Sequence, residues 1–351
     1  MVDLNIYSGK RVLLTGHTGF KGTWLSQILI EAGAEVYGIS LKPEKDSLFN
    51  LVKKQKLKKS IYLNINNAKK LYRTIEKIDP HLVFHLAAQP LVRKSYKDPI
   101  ETFQTNVMGT ANTVDAALNC NSITGIIAIT TDKVYKNSEN LDGYSEEDPL
   151  GGSDPYSASK SACEMVITAW QNLSKLKNGV PIVAARSGNV IGGGDYAEDR
   201  LIPDLIRSFR NKTVAQIRNP NSIRPWQHVL DPLSGYLVIG GKLLNGEVVS
   251  KSYNFGPILN SKLTVSQMAD EACSRWPNNY GWEVENPENN FPETNFLLLS
   301  SQKAKVELGW ENKLNAKEAV KWTVDWESNL NETNALDLIS SQIQKFKAIK
   351  L

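Results

Sequence analysis

Short apolar runs alternate with amphipathic stretches through the first half of this sequence. The run RVLLT, over 11–15, is rich in β-branched and leucine side chains and ends directly before a glycine. It predicts a buried parallel strand, since a strand that is covered on both faces is continuously apolar. Over 20–32 the apolar side chains recur at helical spacing, as Trp24, Leu25 and Ile28 show. A strand followed closely by an amphipathic helix predicts the first half of a βαβ unit.

The same alternation continues to about residue 187. Further strands are predicted over 35–40, 81–87, 125–131 and 181–187, with helices near 101–118 and 155–172. Strands that alternate with helices are typical of an α/β fold. We therefore predict a Rossmann-type parallel sheet with helices on both faces.

After residue 187 the pattern changes, because glycine and proline become frequent and the apolar runs shorten. This predicts a smaller C-terminal substrate lobe at the carboxyl edge of the sheet, where such folds bind ligands. We assign residues 1–187 to the Rossmann domain, to which a segment at about 230–256 returns. Residues 188–229 and 257–325 form the smaller lobe, and residues 326–351 form a peripheral C-terminal helix. The returning segments are a helix over 230–244 and a strand over 253–255.

Composition narrows the class of protein. The 41 basic and 37 acidic residues leave a net charge of +4, which gives no argument for a nucleic-acid or membrane partner. No apolar run approaches the ~20 residues that cross a bilayer, and the first residues lack the apolar core of a signal peptide. Cys120, Cys163 and Cys273 are widely spaced, and the four histidines form no metal-ligand pattern. We expect a cytoplasmic globular protein without a bound metal.

Between the first strand and the first helix lies the segment GHTGFKG, with glycines at 16, 19 and 22. The first glycine permits a tight turn, the second lets a pyrophosphate approach the backbone, and the third lets helix and strand pack closely. A glycine triplet also occurs in ordinary turns, but its position before a helix N-terminus favours phosphate binding. The predicted contact residues are Gly16, Thr18, Gly19, Phe20, Lys21 and Gly22.

The end of the second strand does not identify the dinucleotide. Sheets that bind NAD usually carry an acidic residue there to hold the ribose, whereas this chain reads Ser40-Leu41-Lys42. Lys42 fits either a 2′-phosphate or an ordinary solvated lysine. The choice of cofactor therefore has to follow from the chemistry.

Tyr156 and Lys160 form a YxxxK pair within DPYSASK, on a predicted helix. Four residues make about one turn, so both side chains share a face. A phenol with a pKa of about 10 is a poor base at neutral pH, and a neighbouring ammonium lowers that pKa. An exposed i,i+4 pair is the alternative interpretation. Together with the glycine loop and a strand that ends at Thr131, the pair predicts an acid–base site.

GxxGxxG, a strand-terminal threonine and YxxxK together resemble the extended short-chain dehydrogenase/reductases. The resemblance implies that Tyr156 removes a hydroxyl proton while hydride passes to NAD, and that Thr131 holds the same hydroxyl. It also implies cofactor contacts at Ser40, Asn64, Ile65, Leu86, Ala87, Ala88, Tyr156, Lys160 and Ser187.

The residues after Thr131 indicate a particular branch of that family. Asp132 and Lys133 add two titratable groups at the carboxyl end of a predicted strand, and an alcohol oxidation alone does not need them. Sugar 4,6-dehydratases do need further proton transfers, because oxidation at C4 is followed by loss of water across C5 and C6. Asp-Lys at this point resembles the CDP-glucose branch, with Asp132 as the acid for the C6 hydroxyl. Lys133 would be the C5 base, a group that polarises the ketone, or a relay through water.

The resemblance extends over about 8–325 and includes long segments such as TTDKVYKN and RSGNVIGGGDYAEDRLIPD. It implies conversion of CDP-D-glucose to CDP-4-dehydro-6-deoxy-D-glucose and water, in deoxyhexose synthesis for surface polysaccharide. Because hydride returns to the sugar, a retained NAD is sufficient, which favours NAD over NADP. Guanidinium groups bind phosphates in two-point contacts, and the implied substrate contacts are Asn189, Arg200, Leu201, Arg218, Arg224 and His228.

Three positions depart from the family pattern. Asn64 stands where relatives carry an aspartate, and Pro292 and Ser300 replace a histidine and an aspartate. Family members pair as homodimers or homotetramers through a four-helix bundle, here formed by the helices near 101–118 and 155–172. A sugar C4 epimerase and a non-catalytic dinucleotide sensor are the alternative functions.

Overall fold

The computed structural model describes residues 3–52, 55–138, 140, 142–257, 263–278, 280–285 and 297–349. Its strands are β1 Arg11–Thr15, β2 Glu35–Ser40, β3 Lys59–Tyr62, β4 Leu82–His85, β5 Gly125–Thr131, β6 Ile182–Ser187, β7 Val190–Ile191, β8 Ala215–Ile217, β9 Ile223–Arg224, β10 Gln227–His228, β11 Ser252–Phe255, β12 Leu263–Thr264 and β13 Trp282–Val284. Its helices are α1 Phe20–Glu31, α2 Leu48–Leu51, α3 Ala68–Ile78, α4 Val92–Lys97, α5 Pro99–Phe103, α6 Gly109–Leu118, α7 Pro155–Lys177, α8 Leu201–Arg210, α9 Leu230–Leu244, α10 Val265–Arg275, α11 Gln302–Leu308, α12 Ala316–Asn329 and α13 Ala335–Ala348.

Seven parallel strands form the central sheet, in the order β11-β6-β5-β4-β1-β2-β3. The chain moves outward from β1 to β3 and then restarts on the other side of β1 with β4. A reversal of this kind opens a crevice at the carboxyl ends of the strands, where such sheets bind ligands. The predicted Rossmann-type fold is confirmed.

Strand β1 shows why helices cover both faces of the sheet. Val12 and Leu14 point into a core cluster that contains Trp24 of α1, whereas Leu13 points into a second cluster with Ile75 of α3. Successive side chains of a strand alternate between faces, so a continuously apolar strand requires cover on both. Burial of each such side chain contributes roughly 1.5–3 kcal/mol.

A smaller lobe has its own core, to which α8, α10 and α12 contribute Leu205, Met268 and Val320. Helix α13, in contrast, buries Ile339 and Phe346 in the cluster that also holds the α1 side chains. Among the described residues no helix is both long and apolar enough to cross a membrane.

Candidate active site

The glycine loop between β1 and α1 packs so closely against neighbouring backbone that it leaves no room for side chains at Gly16 and Gly22. Gly16 has φ +76°, and a Cβ there would lie 2.8 Å from the backbone nitrogen of Ala87. A Cβ on Gly22 would overlap the carbonyl oxygen of Gly16. Gly19 precedes α1, and no side chain caps the helix there, so its first N–H groups are available to an anion. The loop thus has the form of a phosphate cradle.

Beside the loop, polar side chains bond to one another where NAD-binding sheets usually carry a carboxylate. The hydroxyl groups of Thr18 and Ser40 lie 2.7 Å apart, and both residues are buried. Asn64 accepts a hydrogen bond from the backbone of Asn66 at 2.9 Å through its side-chain oxygen. His17 is buried below, where desolvation lowers its pKa to about 4. A pair of hydroxyl groups, Thr18 and Ser40, therefore stands at the end of β2 in place of the usual carboxylate.

A buried network connects the glycine loop to the next strand. His85, at the end of β4, bonds through Nδ1 to Thr15 Oγ1 at 2.7 Å and through Nε2 to Thr110 Oγ1 at 3.0 Å. Thr15 also accepts from the backbone N–H of Ala87 at 3.2 Å. Burial lowers the pKa of His85 to about 3, so the ring is neutral and holds this side of the crevice in place.

The predicted catalytic residues do lie together. Asp154 caps α7 and Pro155 opens it, which places Tyr156 in the first turn. Tyr156 is buried and hydrogen-bonded to the Thr131 side chain at the end of β5. One turn later, Lys160 is 4% exposed and donates to the carbonyl oxygen of Ile129 at 3.3 Å. Strand β5 and helix α7 together position the alcohol-binding set.

Burial dominates the environment of Tyr156. It raises the pKa of Tyr156 to about 12, and the opposing effects of Thr131 and Arg200 are smaller. The lowered pKa expected beside a bound nicotinamide therefore stays a prediction. A cationic ligand beside the phenol would move the pKa downward.

Asp132 provides a second proton-carrying group next to this set. Its Oδ1 accepts from Thr131 at 2.8 Å, whereas Oδ2 is buried without a hydrogen-bond partner in the described structure. Burial raises the pKa of this carboxyl, while Lys133 and Arg224 oppose the shift. Lys133 is half-buried and its backbone N–H lies 3.4 Å from Thr131 Oγ1. A protonated carboxyl at this place can donate to a leaving hydroxyl.

Lys21 extends from α1 into the same cluster. Its Nζ donates to Ser187 Oγ, at the end of β6, over 2.8 Å. Tyr236 of α9 hydrogen-bonds to the same hydroxyl at 2.8 Å. Burial lowers the pKa of Lys21 to about 7, and Arg200 and Lys160 add to that effect. Lys21, which was predicted as a cofactor contact in the glycine loop, therefore also lies near Asp132 and Lys160.

Two of the predicted arginines reach the catalytic end of the crevice. Arg200, just before α8, forms an ion pair with Asp195 at 2.9 Å and lowers the pKa of Tyr156. Arg224, on β9, is close enough to Asp132 to lower its pKa. Asn189 is half-buried, and its backbone carbonyl oxygen accepts from the backbone N–H of Gln227 at 3.0 Å.

Arg218 forms ion pairs with a different set of acidic residues. It pairs with Asp199 at 3.2 Å and with Glu285 at 3.6 Å, and Arg93 of α4 reaches the same Asp199 oxygen at 3.1 Å. Asp199 has φ +62°, in the left-handed region that only a few non-glycine residues adopt. The ion pairs of Asp199 with Arg218 and Arg93, of Glu285 with Arg218, and of Asp195 with Arg200 were not predicted. No spacing in the sequence indicates a contact between separate loops.

The remaining substrate predictions have different outcomes. His228 is fully buried, and its ring packs 6.0 Å from that of Trp24 and 5.5 Å from that of Trp322. His228 therefore packs within an aromatic cluster, and its predicted substrate contact stays a prediction. Ser300 bonds through its backbone N–H to Tyr144 at 2.9 Å. Pro292 lies outside the described residues.

The sequence matches the profile of the GDP-mannose 4,6 dehydratase family over residues 13–323. It is 45% identical over 337 residues to CDP-glucose 4,6-dehydratase of Salmonella typhimurium, covering 93% of this chain and 94% of that one. It is 30% identical to dTDP-D-glucose 4,6-dehydratase of Homo sapiens, covering 90% and 89% of the two chains.

Solved structures agree on the fold. The chain superposes with a TM-score of 0.74 on dTDP-glucose 4,6-dehydratase of Bacillus anthracis in complex with NAD, at 21% identity, covering 92% of this chain and 99% of that one. An epimerase of Methanothermobacter thermautotrophicus gives a TM-score of 0.81 at 24% identity, with 96% of each chain covered.

Fold and site together define an extended short-chain dehydrogenase/reductase, with a dinucleotide crevice and a Thr–Tyr–Lys set at its inner end. Within that class, the chain belongs to the GDP-mannose 4,6 dehydratase family.

Proposed function

We propose that this protein catalyses the NAD-dependent dehydration of CDP-D-glucose to CDP-4-dehydro-6-deoxy-D-glucose. The observation that carries the proposal is the buried Asp132 carboxyl directly beside Thr131 and Tyr156, with its pKa raised. An alcohol oxidation needs only the tyrosine, whereas elimination of a hydroxyl also needs an acid. The 45% identity to the Salmonella enzyme supports CDP-glucose as the substrate.

The crevice fits NAD. The Gly16–Gly22 turn and the uncapped N-terminus of α1 would hold the diphosphate. Ser40 and Thr18 would contact the adenosine end, while Ser187 and Lys160 would contact the nicotinamide end. Bound there, NAD would accept hydride from C4 and return it to C6, leaving no net redox change.

The side chains divide the proton transfers between them. Tyr156 takes the proton of the C4 hydroxyl, which Thr131 holds, as the C4 hydrogen leaves with its electron pair. The resulting ketone acidifies C5. Asp132 then donates its proton to the C6 hydroxyl, which departs as water while a base takes the C5 proton. We assign Lys133 as that base, which returns a proton to C5 when hydride returns to C6. The C4 proton held by Tyr156 passes through Thr131 to restore the proton that Asp132 gave up.

The smaller lobe would hold the rest of the substrate. We assign nucleotide-sugar binding to residues 188–229 and 257–325. Arg200 and Arg224 would bind the diphosphate, because both already act electrostatically on catalytic residues. Arg218 would join them by exchanging Asp199 for a phosphate oxygen.

We also propose that two copies pair through α5–α6 and α7. Ile100, Phe103, Met108 and Met165 are 68%, 39%, 54% and 62% exposed on these segments. Clustered exposed apolar side chains mark interaction surfaces, and four helices from two copies would cover them. The three buried, unpaired cysteines accord with a reducing, cytoplasmic setting, and the product would serve deoxyhexose synthesis for surface polysaccharide.

The test is mass spectrometry of sugar nucleotides after incubation with the purified protein and NAD. CDP-glucose should lose the mass of one water, without accumulation of NADH, while dTDP-glucose and GDP-mannose stay unchanged. An unchanged mass with an inverted C4 would identify an epimerase, and loss of water from another nucleotide would refute CDP-glucose as the substrate. Absence of any turnover, with NAD still bound, would favour a non-catalytic sensor.

A further inference from the structure

Two arginines from distant parts of the chain meet at one carboxylate oxygen. Arg93 lies on α4, the helix that follows strand β4 of the central sheet, and its Nη1 is 3.1 Å from Asp199 Oδ1. Arg218 directly follows β8, in a separate two-stranded sheet, and its Nη1 is 3.2 Å from the same oxygen. Asp199 itself belongs to the segment before α8. Its carboxylate thus links the central sheet to the smaller lobe.

A diphosphate would suit this pair of arginines better than one carboxylate does. Asp199 offers a single oxygen to two guanidinium groups, each of which carries several N–H donors in a planar fork. A diphosphate has more oxygen atoms and more negative charge, and guanidinium groups bind phosphates in two-point contacts. The second acidic partner of Arg218 is Glu285, at the longer distance of 3.6 Å. A diphosphate that reaches the cluster would therefore compete with Asp199.

The exposure of the three side chains shows which partner can leave. The side chain of Asp199 is 41% exposed, whereas those of Arg93 and Arg218 are 29% and 17% exposed. Ion pairs at such exposure contribute little free energy, and a carboxylate in contact with water is readily hydrated when it is released. The more enclosed arginines lose more when they have no anion. Exchange of Asp199 for a diphosphate keeps the enclosed groups paired and releases the exposed one.

The cluster lies where the proposed substrate needs an anion site. Asp199 directly precedes Arg200, which acts electrostatically on Tyr156. No side chain caps the N-terminus of α8, which follows, so its first N–H groups also favour an anion. The diphosphate of a nucleotide sugar is attached at C1, across the pyranose ring from the C4 hydroxyl that Tyr156 deprotonates. The loop that carries Asp199 and Arg200 spans that distance from Tyr156.

We propose that Asp199 is an internal competitor of the substrate diphosphate, which Arg93 and Arg218 bind together when it displaces this carboxylate. The inference rests on the proposed function, and it adds Arg93, which the sequence did not indicate, to the substrate contacts. Asp199 holds the two arginines together until the diphosphate takes its place. The competition lowers the affinity for the nucleotide sugar, so removal of an acidic side chain should strengthen binding.

The experiment measures the dissociation constants of CDP and of cytidine by calorimetry, with NAD at saturation so that CDP cannot occupy the dinucleotide crevice. Asp199→Asn removes the charge and keeps the size, and asparagine readily adopts the left-handed backbone found at this position. This variant should bind CDP about fivefold more tightly, as expected for release of a partly exposed ion pair. Asp325→Asn, in an exposed ion pair on α12, is the matched control and should bind CDP as wild type does.

Arg93→Gln tests the second half of the inference. It should raise the dissociation constant of CDP by about tenfold, as expected for loss of a hydrogen bond to a charged group. Arg73→Gln, at an exposed position of α3, is the control for loss of a remote arginine. The affinity for cytidine, which has no phosphate, should be unchanged in all four variants. Arg93→Met provides the same comparison if the glutamine variant does not fold.

The opposite signs of the two effects separate competition from a purely structural role. A carboxylate that only positions the arginines helps binding, so weaker or unchanged CDP affinity in Asp199→Asn would overturn the inference. Unchanged CDP affinity in Arg93→Gln, or an equal change for cytidine, would overturn it as well. If dTDP or GDP binds and CDP does not, CDP-glucose is wrong as the substrate, and the same variants decide the inference with that nucleotide. A protein that binds NAD but no nucleoside diphosphate would refute both proposals.

Discussion

Tyr156 lies in surroundings that oppose the charge it has to carry in the proposed reaction. Burial raises its pKa to about 12, although Arg200 and the Thr131 hydroxyl favour the phenolate. The protein groups around Tyr156 by themselves therefore disfavour the phenolate. A cationic nicotinamide ring would bring the missing positive charge, so that the base becomes available when the cofactor is present.

Replacement of Tyr156 by phenylalanine should leave NAD affinity within about twofold of wild type and reduce kcat by about 10³-fold, the usual cost of a lost acid–base group. Calorimetry measures the first quantity and turnover of CDP-glucose the second. Tyr72→Phe, at a half-exposed position of α3, is the matched control and should behave as wild type. Substantial turnover by the Tyr156 variant would exclude the phenol as the base.

At the scale of elements, the β1–loop–α1 unit depends on two close backbone approaches. Gly16 lies against the chain after β4, and Gly22 lies against Gly16 itself. The absent side chains let α1 point its N-terminus into the crevice. The same contacts make this unit intolerant of even a methyl group.

Gly22→Ala should therefore lower the free energy of unfolding by about 1–3 kcal/mol, the typical cost of overpacking, and abolish detectable NAD binding. Thermal unfolding with and without NAD measures both effects. Gly151→Ala is the control, because its Cβ would meet nothing closer than 3.5 Å. A Gly22 variant that binds NAD normally would show that the loop is not the phosphate cradle.

Local patterns predicted some elements well and missed others. Strands β1, β5 and β6 lie where the apolar runs placed them, and the helix predicted over 155–172 continues to Lys177. Strand β3 was missed because, of its four residues, only Ile61 is even half-buried. It lies at the edge of the sheet, so its pairing with β2 defines it more than its own composition does.

At the scale of the whole molecule, the exposed apolar side chains of α5 and α7 are the principal feature that the single chain leaves unexplained. Ile100 and Met165 are both more than half exposed, on helices that the proposed pairing would bring together. Pairing of two copies would cover them and would bring two active-site helices into one assembly.

The double change Ile100→Glu and Met165→Glu should convert the oligomer to a monomer, because four buried carboxylates would repel and lose hydration. Light scattering after size exclusion measures the mass. Val306→Glu, at an exposed site on α11, is the control and should keep the wild-type mass. A monomeric wild-type protein, or a variant of unchanged mass, would contradict the proposed interface.

The amino-acid pattern was sufficient for everything that depends on neighbours within about one turn or one strand. The GxxGxxG turn, the Tyr156–Lys160 spacing and the Thr131–Asp132–Lys133 sequence are local, so their chemistry could be read before any fold was known. The family resemblance rested on these segments and on longer ones such as RSGNVIGGGDYAEDRLIPD.

Only the tertiary structure determined the contacts between residues that are far apart in the chain. The Asp195–Arg200 pair, the burial of His228 between two tryptophans, and the contact of Lys21 with Ser187 all arise where separate loops or helices meet. No periodicity encodes such meetings. They follow from how helices and loops pack on the sheet and on one another, and burial then changes the pKa values of the groups it encloses.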